Sequence, residues 1–223
     1  MPHKPKIVPL GDASLLVQFG EEIHPVINQR VHVLAGLLEA SPPEGLIETV
    51  PAYATLLVHY DPLIISYTQV RDFLRGKLSQ VEETLSQAQS KPRRRLEVPV
   101  RYGGEYGPDL ESVARHLQLS VEDVIRLHSE NTYTVYMMGF TPGFPYMGIL
   151  NEALVTPRLE TPRTRVPAGT VAIAGSQTGI YPIASPGGWR LIGWTPLTLF
   201  DPASDTPFLF TPGDEVKFIQ GLK

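Results

Sequence analysis

The sequence predicts two units of different class. Residues 1–90 form a small α+β unit in the order ββαββα, and residues 91–223 form a mainly-β barrel or sandwich that includes helices at about 109–130. Two observations carry this division. Residues 1–88 place apolar side chains at helical spacing between short strand-like runs. Residues 139–213 hold 10 Gly and 11 Pro in 75 positions, interleaved with large apolar residues as in VPAGTVAIAG and WRLIGWTPLTLF, which is the pattern of short strands joined by tight turns.

In chain order, Ile7–Leu10 and Ser14–Phe19 flank Gly11-Asp12 as a strand pair. Pro25 to Glu39 carries Val26, Ile27, Val31, Leu34 and Leu38 on one helical stripe, and Pro42-Pro43 stops it because proline has no N–H and disfavours helix in the residue before it. Leu46–Val50 and Ala54–Tyr60 follow as strands. Thr68–Ala88 reads as a single second helix, with Val70, Phe73, Leu74, Val81 and Leu85 on its apolar stripe. Ser90–Arg95 (SKPRRR) reads as a solvated connector. Leu96–Val100 restarts as a strand. Helix 110–118 opens on Asp109 as N-cap, and helix 121–130 opens on Ser120 with Asp123 in a capping-box arrangement.

Composition excludes several classes. The formal charge of −4 lies entirely in residues 1–90, which hold 6 basic and 10 acidic side chains, while residues 91–223 hold 13 of each. No basic face is available to neutralise phosphates, and the second of the two short helices carries Glu122, Asp123 and Glu130 against Arg126 alone, so nucleic acid is not an expected partner. No apolar run approaches the ~18 residues of a membrane span, so no membrane role is expected. The first residues lack a secretory pattern, and the absence of Cys suits a reducing cytoplasm.

Self-contained catalytic motifs are missing. There is no P-loop and no G-x-S-x-G elbow, and no His pair has zinc spacing, so no metal site is expected. All six His precede residue 129, which leaves His128 as the one histidine near the Gly/Pro-rich half. His24 and His32 read as helix-surface residues. The loop Gly139-Phe140-Thr141-Pro142-Gly143-Phe144-Pro145-Tyr146 sets three aromatics on a stiff backbone. It reads equally as a ligand loop or as a turn whose aromatics plug the core. Arg158 and Arg163, with Arg165, make three of the four basic residues between 139 and 213. A guanidinium fork binds a carboxylate or a phosphate, and surface ion pairing is the alternative reading. Gln177, Thr178, Tyr181, Ser185 and Trp189 add amide, hydroxyl and indole groups at further turns.

Together these strings resemble one family. GDASLLVQFG (11–20), VPAYATLLVHYDP (50–62), GFTPGFPYMG (139–148), VPAGTVAIAG (166–175), QTGIYP (177–182), SPGGWRLIGWTP (185–196) and PGDEVKF (212–218) are similar to the B subunits of bacterial ATP-dependent 5-oxoprolinase. That carboxyltransferase-domain family also takes in the sporulation kinase inhibitor KipI and proteins once called allophanate hydrolase subunit 1. The resemblance implies that the second unit is a cyclophilin-like barrel. It implies a non-autonomous component that helps to open 5-oxoproline to glutamate with a paralogous 5-oxoprolinase C subunit and an A subunit. ATP would be used by the complex, a partner's site being one place for it, with no covalently bound cofactor. It implies as an alternative an inhibitor that binds a sensor histidine kinase. On this reading Arg163, with Arg158 second, holds a carboxylate or phosphate. The N–H groups of Gly139 and Gly143 face an oxyanion, Phe144 and Tyr146 exclude water, and His128 carries a proton. Trp194 departs from the basic or polar residue that relatives often carry.

Overall fold

The computed structural model describes residues 4–88 and 93–221. The chain divides into two compact units, Met1–Pro92 and Arg93–Lys223.

The first unit has the element order β1 (Lys6–Pro9), β2 (Ser14–Gln18), α1 (Pro25–Glu39), β3 (Leu46–Pro51), β4 (Thr55–Tyr60), α2 (Tyr67–Leu78) and α3 (Val81–Ala88). The strands form an antiparallel sheet in the order β1-β2-β4-β3. Alternation puts Leu15 and Val17 of β2 and Leu56 and Val58 of β4 into the core, where Val31, Leu34 and Leu38 of α1 meet them. Each such apolar side chain contributes about 1.5–3 kcal/mol when fully buried. Proline at the first turn and the His24 side chain start α1; His24 Nδ1 accepts from the Val26 N–H at 3.2 Å.

The arrangement is therefore ββαββαα, and the single helix expected over Thr68–Ala88 is two. The break lies at Ser79-Gln80. Ser79 donates its hydroxyl to the Gly76 carbonyl at 2.7 Å, competing with the helical ladder, and Glu82 and Glu83 suit the first turn of a new helix. Both halves keep the same apolar stripe, because Val70, Leu74 and Val81 bury in one cluster.

The second unit is built from β5 (Arg95–Tyr102), α4 (Leu110–Leu117), α5 (Val121–Glu130), β6 (Thr132–Met138), β7 (Pro145–Gly148), β8 (Arg163–Val166), β9 (Thr170–Ala174), β10 (Gln177–Ile180), β11 (Ser185–Gly187), β12 (Arg190–Trp194) and β13 (Glu215–Gln220). Seven strands close a barrel in the order β10-β7-β6-β13-β5-β12-β9. This is consistent with a cyclophilin-like barrel. The last strand lies parallel to the first, from Glu215 opposite Arg95 to Gln220 opposite Val100, while the other barrel pairs are antiparallel. A separate two-stranded sheet pairs β8 with β11.

The barrel wall alternates along β9. On β9, Val171 and Ile173 belong to the interior core, and Ala172 and Ala174 belong to a second cluster with Phe144, Tyr181 and Trp189. On β7 and β10, Met147 and Ile180 point inward. Small residues on the outside of the wall thus leave room for a layer of aromatic rings.

Of the connector expected at Ser90–Arg95, Ser90, Lys91 and Pro92 lie outside the described residues. The following arginines are not merely solvated. Arg94 donates through Nε and Nη2 to Asp214 at 3.0 and 2.5 Å and through Nη2 to the Leu209 carbonyl at 2.7 Å, and Arg95 opens β5. Asp214 is buried and also accepts from the Thr211 N–H at 2.8 Å. The pair pins the start of β13 beside the start of β5. Asp214→Ala is expected to cost about 1–2 kcal/mol, moderated by the exposure of Arg94. A urea denaturation midpoint unchanged from wild type would contradict this.

Candidate functional site

The aromatic layer on the barrel's outer wall gathers most of the residues singled out from the sequence. Phe144 and Tyr146 lie 4.8 Å apart between ring centroids, and Phe144 meets Tyr181 at 5.2 Å and Trp189 at 5.5 Å, both edge to face. Tyr146 meets Trp189 at 5.8 Å. These are favourable geometries for rings with negative faces and positive edges. Two glycines make the packing possible. A Cβ on Gly179 would stand 2.9 Å from the Phe144 ring, and a Cβ on Gly187 would collide with the Tyr181 hydroxyl.

Phe140 stands at the rim. It is 60% exposed, sits at φ +65°, and presents its ring edge-on to Phe144 and Tyr181. A bulky residue in the left-handed region is strained, and its loop holds it there. Gly139 N–H donates to the Phe144 carbonyl at 3.2 Å, Thr141 N–H to the Gly139 carbonyl at 2.8 Å, and Phe144 N–H to the Thr141 carbonyl at 3.1 Å. Gly139 therefore has no N–H to offer an oxyanion, which corrects that expectation. The Gly143 N–H makes no hydrogen bond among the described residues.

Both arginines reach the layer. The Arg158 guanidinium lies 5.9 Å from the Trp189 ring centroid, a cation–π placement. Arg163 donates from Nη2 to Asp109 Oδ1 at 2.7 Å, and its Nη1 is enclosed with no hydrogen-bond partner. Burial pushes the hydroxyls of Tyr146 and Tyr181 above the usual phenol range, opposed at Tyr146 by Arg158 and at Tyr181 first by a hydrogen bond from the Trp189 backbone and then by the nearby arginines. Both stay protonated at neutral pH and can donate. The site thus combines a fixed guanidinium, phenolic donors and aromatic faces, which suits a small, flat, anionic molecule.

Of four further expected site residues, Gln177 and Ser185 border this layer and Thr178 and His128 lie away from it. Gln177 opens β10 opposite Gly148 and Ala174. Ser185 is buried where β11 pairs with Val166 of β8, and its hydroxyl has no partner among the described residues. Thr178 and His128 are in the barrel interior. His128 is fully buried on α5. Its Nδ1 lies 2.7 Å from the Tyr102 hydroxyl and its Nε2 2.9 Å from Thr178 Oγ1. Because the Thr178 hydroxyl donates to the Ala172 carbonyl at 3.1 Å, Nε2–H is the donor to Thr178 and Nδ1 accepts from Tyr102. The ring also packs 4.5 Å from Phe218. Burial lowers its pKa to about 3. A neutral imidazole with both nitrogens bonded inside the core is a packing element, not a proton carrier for an outer-wall site.

Trp194 is likewise structural, donating Nε1–H to the Ala168 carbonyl at 2.8 Å and packing on Tyr106. Asp109 is the residue that sequence reasoning missed, having read it only as a cap. A cavity of about 860 Å³ in the first unit is lined by Lys6, Phe19, His24, Ile27 and Arg30, and holds none of the predicted site residues. Among the described residues no cluster of three or more His, Cys, Asp or Glu could hold a metal, and no helix is long and apolar enough to cross a membrane.

The chain belongs to the family described as carboxyltransferase domain, subdomain C and D, whose sequence pattern matches residues 5–210. Within that family it is similar to proteins named as the B subunit of 5-oxoprolinase. It is 45% identical to that of Bacillus subtilis (strain 168) over 96% of this chain and 92% of the relative. It is 56% identical to that of Escherichia coli O157:H7 over 60% of this chain and 62% of the relative. A crystal structure of TTHA0988 superposes with a TM-score of 0.82 at 42% identity, over 94% of this chain and 40% of that one. This chain thus spans less than half the length of that solved relative.

The buried His128 predicts a pH dependence of stability. The unfolded chain binds a proton near pH 6.5, its ordinary value, and the folded protein only near 3. The stabilisation is complete above about pH 6.5 and declines as the pH falls toward 3, at up to about 1.4 kcal/mol per pH unit from this group. His128→Gln is expected to flatten the slope between pH 6 and 4 in denaturation series. An unchanged slope would contradict the assignment.

Proposed function

We propose that the chain is one component of an ATP-dependent 5-oxoprolinase, and that its outer-wall aromatic and arginine layer holds one side of 5-oxoproline. The single observation that carries this reading is Arg163, fixed by Asp109 with its Nη1 unpartnered, close enough to Tyr181 to act on its hydroxyl electrostatically. The similarity to proteins named as the 5-oxoprolinase B subunit supports it.

The chemistry fits the residues. 5-Oxoproline has one carboxylate on a nearly flat lactam ring. A guanidinium pairs with the carboxylate, or with a phosphate, and aromatic faces and edges take the ring. The lactam carbonyl is unreactive at neutral pH. Phosphorylation of its oxygen by ATP makes the carbon electrophilic. Water then adds to that carbon, the ring C–N bond breaks as the nitrogen takes up a proton, and the acyl phosphate so formed is attacked by a second water that displaces phosphate to give glutamate. In this scheme Phe140, Phe144 and Tyr146 restrict water, and the phenol of Tyr181 and the Gly143 N–H are the donors nearest to developing oxygen charge. Within this chain Phe144, Tyr181 and Trp189 are buried and Phe140 is exposed at the rim, so the ligand is met at that rim, where partner chains of the C and A type complete the site, and ATP is handled by the assembled complex. The proposed setting is cytoplasmic.

The test uses the complex reconstituted with its partner chains. Arg163→Ala is expected to reduce ATP-dependent glutamate release from 5-oxoproline by roughly 10- to 100-fold in kcat/KM, the loss of one charge-assisted contact. Wild-type turnover would remove Arg163, and this reading of the site, from the mechanism.

A further inference from the structure

Asp109 precedes α4 without capping it, since its side chain makes no hydrogen bond to the helix. Both carboxylate oxygens are committed elsewhere. Oδ1 accepts from Arg163 Nη2 at 2.7 Å, and Oδ2 accepts from the Leu191 N–H of β12 at 2.7 Å. The Asp109 N–H in turn donates to the Leu191 carbonyl at 2.9 Å. The Asp109 side chain is 10% exposed and that of Arg163 29%. A buried carboxylate tied to a barrel strand in this way cannot swing, and the guanidinium it holds is fixed with it. One corner of the fork belongs to the protein. Nη1, enclosed and unpartnered, is left for a ligand.

The pair also sums to zero charge. A ligand anion at Nη1 meets a guanidinium whose field is reduced by the carboxylate behind it. Coulomb attraction grows in proportion to ligand charge, whereas the cost of removing an anion from water grows with its square. A weakened positive field therefore still offsets the dehydration of a monoanion but not that of a dianion.

We infer that Asp109 is a positioning and specificity-determining residue that makes Arg163 select a carboxylate monoanion over a phosphate dianion. This rests on the reading that the outer-wall layer holds 5-oxoproline, and it deepens that reading by assigning Arg163 to the substrate carboxylate rather than to a phosphate. Two effects act in the same direction when the charge of Asp109 is removed. The stronger positive field gains twice as much for a dianion as for a monoanion, and the loosened fork loses the geometry that suits a planar carboxylate. A purely structural role would weaken both ligands together and leave their ratio unchanged.

The experiment is competitive calorimetry on the full chain, alone and with its co-purifying chains, without ATP, at a pH where inorganic phosphate is a dianion. 5-Oxoproline is titrated in, and phosphate is tested for its ability to displace it. Wild type is expected to prefer 5-oxoproline by about tenfold or more, Asp109→Asn to narrow that ratio by about tenfold, and Arg163→Ala to abolish 5-oxoproline binding. If Arg163→Ala abolishes binding but Asp109→Asn leaves the ratio unchanged, the selectivity role is overturned and the site stands. If 5-oxoproline binding survives Arg163→Ala, or none occurs in wild type, the site itself is overturned. Should Asp109→Asn fail to fold, wild type alone decides: phosphate displacing 5-oxoproline at equal concentration would refute the inference.

Discussion

The alternation of large and small side chains along β9 and β10 is the constraint on which the second unit depends. Val171, Ile173 and Ile180 fill the barrel, while Ala172, Ala174 and Gly179 leave its outer surface low. Because the strand repeat is two residues, one choice of register fixes both faces. A closed barrel of this size is packed with side chains inside, so any ligand must be met on the outside or at the rims. The low outer wall is where Phe144, Tyr181 and Trp189 lie buried against the sheet, with Tyr146 half-buried beside them and Phe140 exposed at the rim.

The same economy explains the two polar groups that the sequence made conspicuous for other reasons. His128 and Thr178 form one closed chain of hydrogen bonds with Tyr102 and the Ala172 carbonyl, so a buried imidazole is tolerated without charge. Asp109 and Arg163 form the corresponding device on the outer side, linking the start of α4, β12 and β8. The first satisfies all its groups and is inert. The second leaves one guanidinium nitrogen unsatisfied, and the proposed site assigns that nitrogen to the ligand.

Much of the fold was legible in the sequence. The bounds of α1 follow from its apolar stripe and from the prolines that flank it, and the strands of the first unit follow from their alternation. Gly and Pro density marked the β-rich half, and the loop strings carried the family. Other features were not legible, for physical reasons. The run Thr170–Ala174 is buried at every position, so periodicity could not say which side faced the interior. The Asp109–Arg163 pair spans 54 residues and the Arg94–Asp214 pair 120, and no local signal anticipates such contacts. Asp109 after a proline looks like any helix cap. The break between α2 and α3 was hidden because the apolar stripe continues across it, and only the Ser79 hydroxyl marks the interruption.

The central claim is that the outer wall of the barrel, not its interior and not the first unit, receives the ligand. A crystal structure of the assembled complex with 5-oxoproline tests it most directly. The expected result is the lactam ring against the Tyr146, Tyr181 and Trp189 layer with its carboxylate on Arg163 Nη1. Ligand density in the first unit's cavity beside Arg30, with the outer wall bare, would contradict it.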